Sequence, residues 1–236
     1  MMEKLLATKT ALRRLLTIAL FSAVVTNSVC AETTSLAVLG SSTAAGTGAS
    51  QPGRSWVGLL QAWLAKTQGG NIVNLAAPGV LSTSALCTQQ ANSNISELIA
   101  PTRNIDRALK LGATRFILAF PSNDTTNGMP AEQTIRNFLD MRQCAQSNDK
   151  VRVAVMSSLP RDGLTKPQNA TIAHIDSAMR KEFGNCFINV RSALADEGNE
   201  NIRHDFSAGD GVHFNDAGHT IIFNIVNRFL ESGKCF

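Results

Sequence analysis

Three features are absent from the sequence that follows residue 31, and each absence removes a class of protein. No segment there is long and apolar enough to cross a membrane, which takes roughly 20 residues. No cysteine pair has the C-x₂-C spacing of a structural zinc site. No repeat, low-complexity tract or linker divides the sequence, so we expect one domain over residues 32–236.

The first 31 residues have the composition of an export signal. Basic residues come first, and an apolar stretch then runs from Leu15 to Val25, which is too short to span a bilayer. The small residues of Val29-Cys30-Ala31 suit a signal peptidase, so we expect cleavage after Ala31 and a secreted or periplasmic protein. Cys30 offers a lipoprotein alternative, although Asn27-Ser28-Val29 lacks the apolar and small residues of such a site.

The positive charge of the chain lies mainly in this leader. The formal net charge is +4, and most of it comes from Lys4, Lys9, Arg13 and Arg14 against Glu3. After cleavage a net charge of about +1 remains, which gives no reason to expect nucleic acid or an anionic surface as a partner.

Four cysteines follow the leader, and an even number in an exported protein suggests two disulfides. Of the possible pairings we favour Cys87 with Cys144 and Cys186 with Cys235, because the second pair would tie the last residues to the body of the protein. Buried free thiols are the alternative.

Short β-branched runs alternate with longer amphipathic stretches, a pattern typical of a parallel sheet covered by helices on both faces. The candidate strands are Leu36–Leu39, Asn71–Leu75, Arg115–Phe120, Val151–Met156 and Phe187–Val190. The candidate helices are Ser55–Lys66, Thr102–Leu111, Pro130–Ser147, Lys166–Phe183 and Asp216–Ser232. Because ligands bind beyond the carboxyl ends of parallel strands, the loops that begin at Gly40, Ala76, Pro121 and Ser157 should share one rim.

Two of the segments near this rim carry the groups of acyl-transfer chemistry. The first strand delivers Gly40-Ser41-Ser42, and near the end of the chain Asp210 precedes His213 by three residues. A serine hydroxyl needs a base within hydrogen-bond reach and a third group that holds the base in one tautomer. Residues three apart approach within about 7 Å in a turn, so Asp210 can accept from Nδ1 of His213 while Nε2 faces outward.

Four blocks in this order resemble the SGNH or GDSL family of serine esterases. Gly40-Ser41-Ser42 resembles the Gly-Asp-Ser block, Asn74-Leu75-Ala76-Ala77-Pro78-Gly79 the glycine block, Ser122-Asn123-Asp124 the Gly-x-Asn-Asp block, and Asp210-Gly211-Val212-His213 the Asp-x-x-His block. The Gly-x-Ser-x-Gly pentapeptide of α/β-hydrolases is absent.

The resemblance implies a serine ester hydrolase that needs neither cofactor nor metal. Its nucleophile would be Ser42, with His213 and Asp210 completing the triad, and the N–H groups of Ser42 and Gly79 and the Asn123 amide would form the oxyanion hole. The implied fold is α/β: a flavodoxin-like three-layer α/β/α sandwich with a central parallel sheet of about five strands.

Two positions depart from the family pattern. Ser41 stands where the family has Asp, and we expect its hydroxyl to bond the backbone of the nucleophile loop in place of that carboxylate. The departure leaves Ser41 as an alternative nucleophile, but Ser42 is favoured because it aligns with the family serine. Pro121 replaces a glycine and removes one backbone donor near Asn123.

Several roles remain open at this point. Asp124 either orients Asn123 or binds a turn N–H, and Asp216 suits the N-cap of the last helix. A metal site is the alternative for the polar residues near the end of the chain, which are His204, Asp205, Asp210, His213, Asp216 and His219.

The expected substrate is a short acyl ester, such as an acetyl ester, of a small molecule or a glycan. No apolar run for a long acyl chain accompanies the site blocks, near which only Leu81, Met129 and Phe214 lie. The alternatives are a lysophospholipase or thioesterase acting on longer acyl chains, and an inactive relative that binds a glycan or cell-envelope ligand.

Overall fold

The computed structural model describes residues 35–90, 96–120 and 122–236. The leader, with Cys30 and the expected cleavage site, and Pro121 lie outside the described residues. Within them lie five strands, β1 Ser35–Gly40, β2 Asn71–Asn74, β3 Arg115–Ala119, β4 Arg152–Met156 and β5 Phe187–Ile188. They form one parallel sheet in the order β2-β1-β3-β4-β5. This strand order is that of the flavodoxin-like folds, as expected.

The helices follow the expected alternation with the strands. Their bounds are α1 Ser42–Ala45, α2 Trp56–Thr67, α3 Ile105–Lys110, α4 Asn123–Thr126, α5 Ala131–Ala145, α6 Lys166–Phe183, α7 Arg191–Leu194 and α8 Asp216–Glu231. The one-turn helices α1, α4 and α7 were not expected from the sequence, because four residues are too few to show a helical period. None of the described helices combines the length and the apolar character that a membrane crossing requires.

The helices cover both faces of the sheet. On one face, Leu39, Phe116 and Leu118 of the strands pack with buried residues of α3, α5 and α6. On the other, Val38 and Ile117 pack with buried residues of α2 and α8. Successive strand residues therefore enter opposite cores, which explains why the strands read as continuous apolar runs.

Both disulfides have the pairing that the sequence analysis favours. Cys87 is bonded to Cys144, which joins the loop after β2 to α5. Cys186 is bonded to Cys235, which joins the residue before β5 to the end of the chain.

The loops that follow β1, β2 and β3 meet at the carboxyl edge of the sheet. The N–H of Ala77 donates to the carbonyl oxygen of Gly40 over 3.1 Å, and the N–H of Ser41 donates to that of Ala119 over 3.3 Å. The chain thus holds the first loop between the second and the third, which is the arrangement that the predicted rim requires.

Candidate active site

Ser41 and Ser42 have different environments at the end of β1. Ser41 is completely buried, and its hydroxyl has no hydrogen-bond partner among the described residues. The expectation that this hydroxyl bonds the loop backbone is therefore wrong: a serine hydroxyl sits one bond from Cβ and reaches less far than the carboxylate it replaces. Ser42, at 7% exposure, keeps some access to solvent. The burial of Ser41 favours Ser42 as the reacting residue.

Asp210 and His213 form the pair that the sequence analysis predicts. Oδ2 of Asp210 lies 2.6 Å from Nδ1 of His213, while Oδ1 accepts the N–H groups of Val212 and His213 over 2.9 and 2.8 Å. These bonds to His213 lower the pKa of the Asp210 carboxyl to about 2. A carboxylate that stays ionised at Nδ1 holds the imidazole in the tautomer whose Nε2 can accept a proton.

Asp162, which follows β4, binds the turn between Asp210 and His213 to a distant part of the chain. The N–H of Asp162 donates to the carbonyl oxygen of Gly211 over 2.8 Å, and its Oδ1 accepts the N–H of Ile202 over 2.8 Å. Sequence reasoning missed Asp162, since it lies far from Gly211 in the chain and belongs to none of the four blocks.

Three donors occupy the neighbouring loops. The N–H groups of Ser42 and Gly79 have no acceptor among the described residues. Gly79 has φ +76°, a conformation that favours glycine, and open space lies where its Cβ would be. The Asn123 side chain donates to the carbonyl oxygen of Val80 over 3.2 Å, which places this amide beside the Gly79 loop with a second N–H to spare.

Asp124 binds the second loop rather than Asn123. Its carboxylate accepts the backbone N–H of Ser82 over 2.9 Å, the Ser82 hydroxyl, and the Thr134 hydroxyl over 3.1 Å. Asn137 also donates to the Ser82 oxygen, over 2.8 Å. Burial raises the pKa of Asp124, and the bonds from Ser82 and Thr134 oppose that effect. Sequence reasoning missed Ser82, Thr134 and Asn137, although Thr134 and Asn137 are polar residues on the buried face of amphipathic α5, which is a usable signal.

The segment that follows Ser42 meets the segment of His213 at Gly48. This residue packs so closely on the last block that a Cβ atom would overlap the carbonyl oxygen of Phe214 and lie 3.1 Å from Cβ of His213. The N–H of Thr47, next to it, donates to the carbonyl oxygen of Ser42 over 2.9 Å. Among the described residues no hydrogen bond joins the Ser42 hydroxyl directly to His213. Hydrogen bonds between a nucleophile and its base often form only when substrate binds.

Asp216 does not cap the last helix, contrary to expectation. Asn215 is the N-cap and accepts the N–H of Gly218 over 3.0 Å. Asp216 instead accepts the N–H and hydroxyl of Ser50 over 2.8 and 2.7 Å, with Arg54 4.0 Å away. A carboxylate that binds across to another loop is not free to cap its own helix.

The residues of the alternative metal site serve other groups. Asp216 is bonded to Ser50, and both ring nitrogens of His219 are bonded to backbone groups. The ligand-like group among the described residues is Cys87, Asp106 and Cys144, but its sulfurs form a disulfide and cannot act as thiolates.

Solved structures share this fold at low sequence identity. TesA has a TM-score of 0.63 and 18% identity, and the alignment covers 84% of this chain and 98% of TesA. The psychrotrophic esterase EstA from Pseudoalteromonas sp. has a TM-score of 0.61 and 16% identity, over 84% of this chain and 97% of EstA.

A third similar structure belongs to a longer protein. It is a two-domain esterase active on acetylated mannans, with a TM-score of 0.57 and 18% identity, and the alignment covers 86% of this chain and 50% of that esterase. No curated protein matches the sequence. The model of the GDSL-like lipase/acylhydrolase family matches residues 38–221, and the chain therefore belongs to this family of serine ester hydrolases.

Proposed function

We propose that this protein is an exported serine esterase that hydrolyses a short acyl ester with the triad Ser42, His213 and Asp210. The observation that supports the triad most strongly is the 2.6 Å contact between Oδ2 of Asp210 and Nδ1 of His213. It fixes the orientation and tautomer that a general base needs. The meeting of the Ser42 and His213 segments at Gly48 supports the third member.

In the first half of the reaction, Oγ of Ser42 attacks the ester carbonyl carbon and its proton passes to Nε2 of His213. The carbonyl oxygen becomes an oxyanion that accepts the N–H groups of Ser42 and Gly79 and an N–H of Asn123. The tetrahedral intermediate then collapses. The bond to the alcohol breaks, and the alcohol leaves with the proton from His213, so that an acyl group remains on Ser42.

In the second half, water replaces the alcohol. His213 takes one proton from the water, whose oxygen bonds to the acyl carbon and again forms an oxyanion in the same hole. Collapse breaks the bond to Oγ of Ser42, which regains its proton from His213, and the carboxylic acid leaves. Asp210 stays ionised throughout, because the pKa of its carboxyl is about 2.

A short acyl group on a small molecule or a glycan is the substrate we favour. The structurally similar two-domain esterase is active on acetylated mannans, and this supports an acetyl ester of a glycan here. The composition of residues 1–31 supports export, and so do the two disulfides, because disulfides persist in oxidising compartments. Sequencing the mature N-terminus tests export, for which we expect Glu32 as the first residue; a chain that keeps its leader contradicts it.

The proposed chemistry is tested by comparing wild type with two variants, Ser42→Ala and Ser41→Ala. The measurement is the hydrolysis of p-nitrophenyl acetate, butyrate and octanoate. Loss of the nucleophile should lower kcat about 10³-fold or more. Ser41→Ala is the matched control, and it should keep its activity because the Ser41 hydroxyl is buried without a partner. Loss of activity in Ser41→Ala alone overturns the assignment, and a preference for octanoate overturns the short acyl group.

Labelling with a fluorophosphonate separates the enzyme from a binding protein of the same fold. An activated serine displaces fluoride and keeps the phosphonyl group. We expect the adduct on Ser42 by peptide mass spectrometry. Folded wild type that carries no adduct and hydrolyses no ester would leave ligand binding as the better account.

A further inference from the structure

His219 lies in the first turn of α8 and is completely buried. Both of its ring nitrogens are bonded to backbone groups of the segment that follows the nucleophile. Nδ1 lies 3.2 Å from the backbone nitrogen of Trp56, and Nε2 lies 3.1 Å from the carbonyl oxygen of Thr47. A buried histidine with two such partners has only one way to satisfy both of them.

The two partners fix the protonation state of the ring. The Trp56 N–H is a donor, so Nδ1 must present its lone pair, and the Thr47 carbonyl is an acceptor, so Nε2 must carry the proton. Trp56 is also the first residue of α2, and its N–H is among the groups that a helix leaves without an internal partner. A proton on Nδ1 would face this N–H and break the bond.

Thr47 connects His219 to the nucleophile. Its carbonyl oxygen binds His219, and its N–H donates to the carbonyl oxygen of Ser42 over 2.9 Å. The next residue, Gly48, packs on His213. The imidazole of His219 therefore binds the backbone of the segment that follows Ser42 at two points, Thr47 and Trp56, and Asp216 binds the backbone of the same segment at Ser50.

We propose that neutral His219 is a positioning residue, which clamps Thr47 and Trp56 and so sets the position of Ser42 relative to His213. The inference rests on the proposed function, because positioning matters only if these two residues react together. His219 does not touch the substrate. Its effect should fall on kcat rather than on KM, since a small displacement of reacting groups costs rate more than binding.

We call the two bonds of His219, to Thr47 and to Trp56, the clamp, and we expect the clamp to open in acid. Burial lowers the pKa of His219, and the neighbouring charge of His213 acts in the same direction, whereas the Thr47 carbonyl and Asp216 oppose it. Arg54, which precedes α2, lies against Asp216. Protonation of His219 breaks the bond to Trp56, so a second proton should add to the loss of activity that protonation of His213 causes.

Three substitutions of His219 test its bonds to Thr47 and to Trp56 separately. The amide of His219→Gln can reach the Nε2 position and donate to Thr47, whereas the oxygen of His219→Asn can occupy the Nδ1 position and accept from Trp56. His219→Phe fills the volume and makes neither bond. We expect kcat to fall about 10- to 100-fold in His219→Phe, and to fall less in His219→Gln than in His219→Asn. Equal kcat in the Gln and Asn variants, or unchanged kcat in the Phe variant, overturns the proposal.

The pH profile supplies a readout that a purely structural histidine would not move. On the acid side, the logarithm of kcat/KM for wild type should steepen from a one-proton to a two-proton slope, and His219→Gln should keep the one-proton slope. His174→Gln is the matched control, because His174 is exposed and contacts Glu132 instead of this site. Its profile should equal that of wild type. Equal slopes in wild type and His219→Gln contradict the clamp.

Nitrogen NMR of the wild-type protein tests the inference without any measurement of activity, because it identifies the ring nitrogen of His219 that carries the proton. We expect the neutral His219 ring to carry its proton on Nε2, and a proton on Nδ1 overturns the clamp even if the enzyme is active. Conversely, wild type that hydrolyses no ester but shows this tautomer refutes the proposed function, while the two bonds of His219 stand.

Discussion

Asp124 accepts both the backbone N–H and the hydroxyl of Ser82, although Asp124 lies in α4, after β3, and Ser82 lies in the connection that follows β2. Ser82 follows Gly79, and Asp124 follows Asn123, so this contact ties together the loops that carry two of the proposed oxyanion donors. Both Asp124 and Ser82 are almost completely buried. The contact therefore adds to the bond between the Asn123 side chain and the carbonyl oxygen of Val80 in joining the segments that carry these two donors.

Asp124→Ala should disturb both stability and catalysis. The substitution leaves the Ser82 N–H buried without a partner, which costs about 1–3 kcal/mol. It also frees the Gly79 loop, so kcat should fall while KM changes little. Urea unfolding and steady-state kinetics measure the two effects. Asp124→Asn, whose oxygen can still accept the Ser82 N–H, should retain more of both, and an Asp124→Ala protein with normal kcat would show that the loops need no such tie.

Asp210→Asn should lower kcat by about 10²- to 10⁴-fold without unfolding the protein. The asparagine oxygen can still accept the N–H groups of Val212 and His213, but its amide cannot hold the proton of Nδ1. Kinetics at neutral pH check this expectation. Asp205→Asn is the control, because Asp205 is an exposed partner of Arg203. Comparable losses in both variants would mean that the carboxylate at residue 210 has no special role.

The central strands β1, β3 and β4 could be predicted closely because nearly all of their residues are buried. Arg115–Ala119 and Arg152–Met156 each differ from the expected strand by one residue at one end, and β5 is two residues shorter than expected. Long apolar runs between amphipathic helices leave few other arrangements. The turn of Asp210 and His213 was also predictable, because a spacing of three residues is a local property.

Contacts between distant loops were not predictable in the same way. Asn215 and Asp216 are both good N-cap residues, and only the contact of Asp216 with Ser50 decides between them. Whether the Ser41 hydroxyl finds a hydrogen-bond partner likewise depends on the residues packed around it, and the described residues offer none. Such outcomes depend on which loops meet, and a single sequence does not contain that information locally.

Removing the Cys186–Cys235 disulfide should lower stability and leave catalysis largely intact. Cys186 precedes β5, so this bond lies at the amino end of the sheet, away from the proposed site at the carboxyl end. Loss of a disulfide closing a loop of this size costs about 2–4 kcal/mol. The double variant Cys186→Ser, Cys235→Ser should therefore melt at a lower temperature, as followed by circular dichroism. Ester hydrolysis well below that temperature should match wild type, and a large loss of kcat in folded protein would contradict this separation.

Asp176 gives a pH-dependent test of the fold. Burial raises the pKa of its carboxyl to about 6, although it accepts the N–H of Ser158 over 2.8 Å and lies near Arg191. Between its unfolded value of 3.8 and about 6, the folded state holds a proton that the unfolded state has released. The contribution of Asp176 to the free energy of unfolding therefore falls as pH rises through this window.

Asp176→Asn removes this ionisation and keeps an oxygen for Ser158. We compare the free energy of unfolding of this variant with that of wild type. The difference, variant minus wild type, should rise by about 2 kcal/mol between pH 4 and pH 7. This magnitude follows because a tenfold change in a proton-binding constant corresponds to about 1.4 kcal/mol. Asp196→Asn is the control, because bonds from Asn201 and the Glu200 N–H lower the pKa of Asp196 below its usual value of 3.8. Its difference from wild type should change little between pH 4 and pH 7, since this carboxyl is already mostly ionised at pH 4 in both the folded and the unfolded state. Urea unfolding at both pH values measures the two differences, and a difference for Asp176→Asn that does not change with pH would mean that its carboxyl titrates normally.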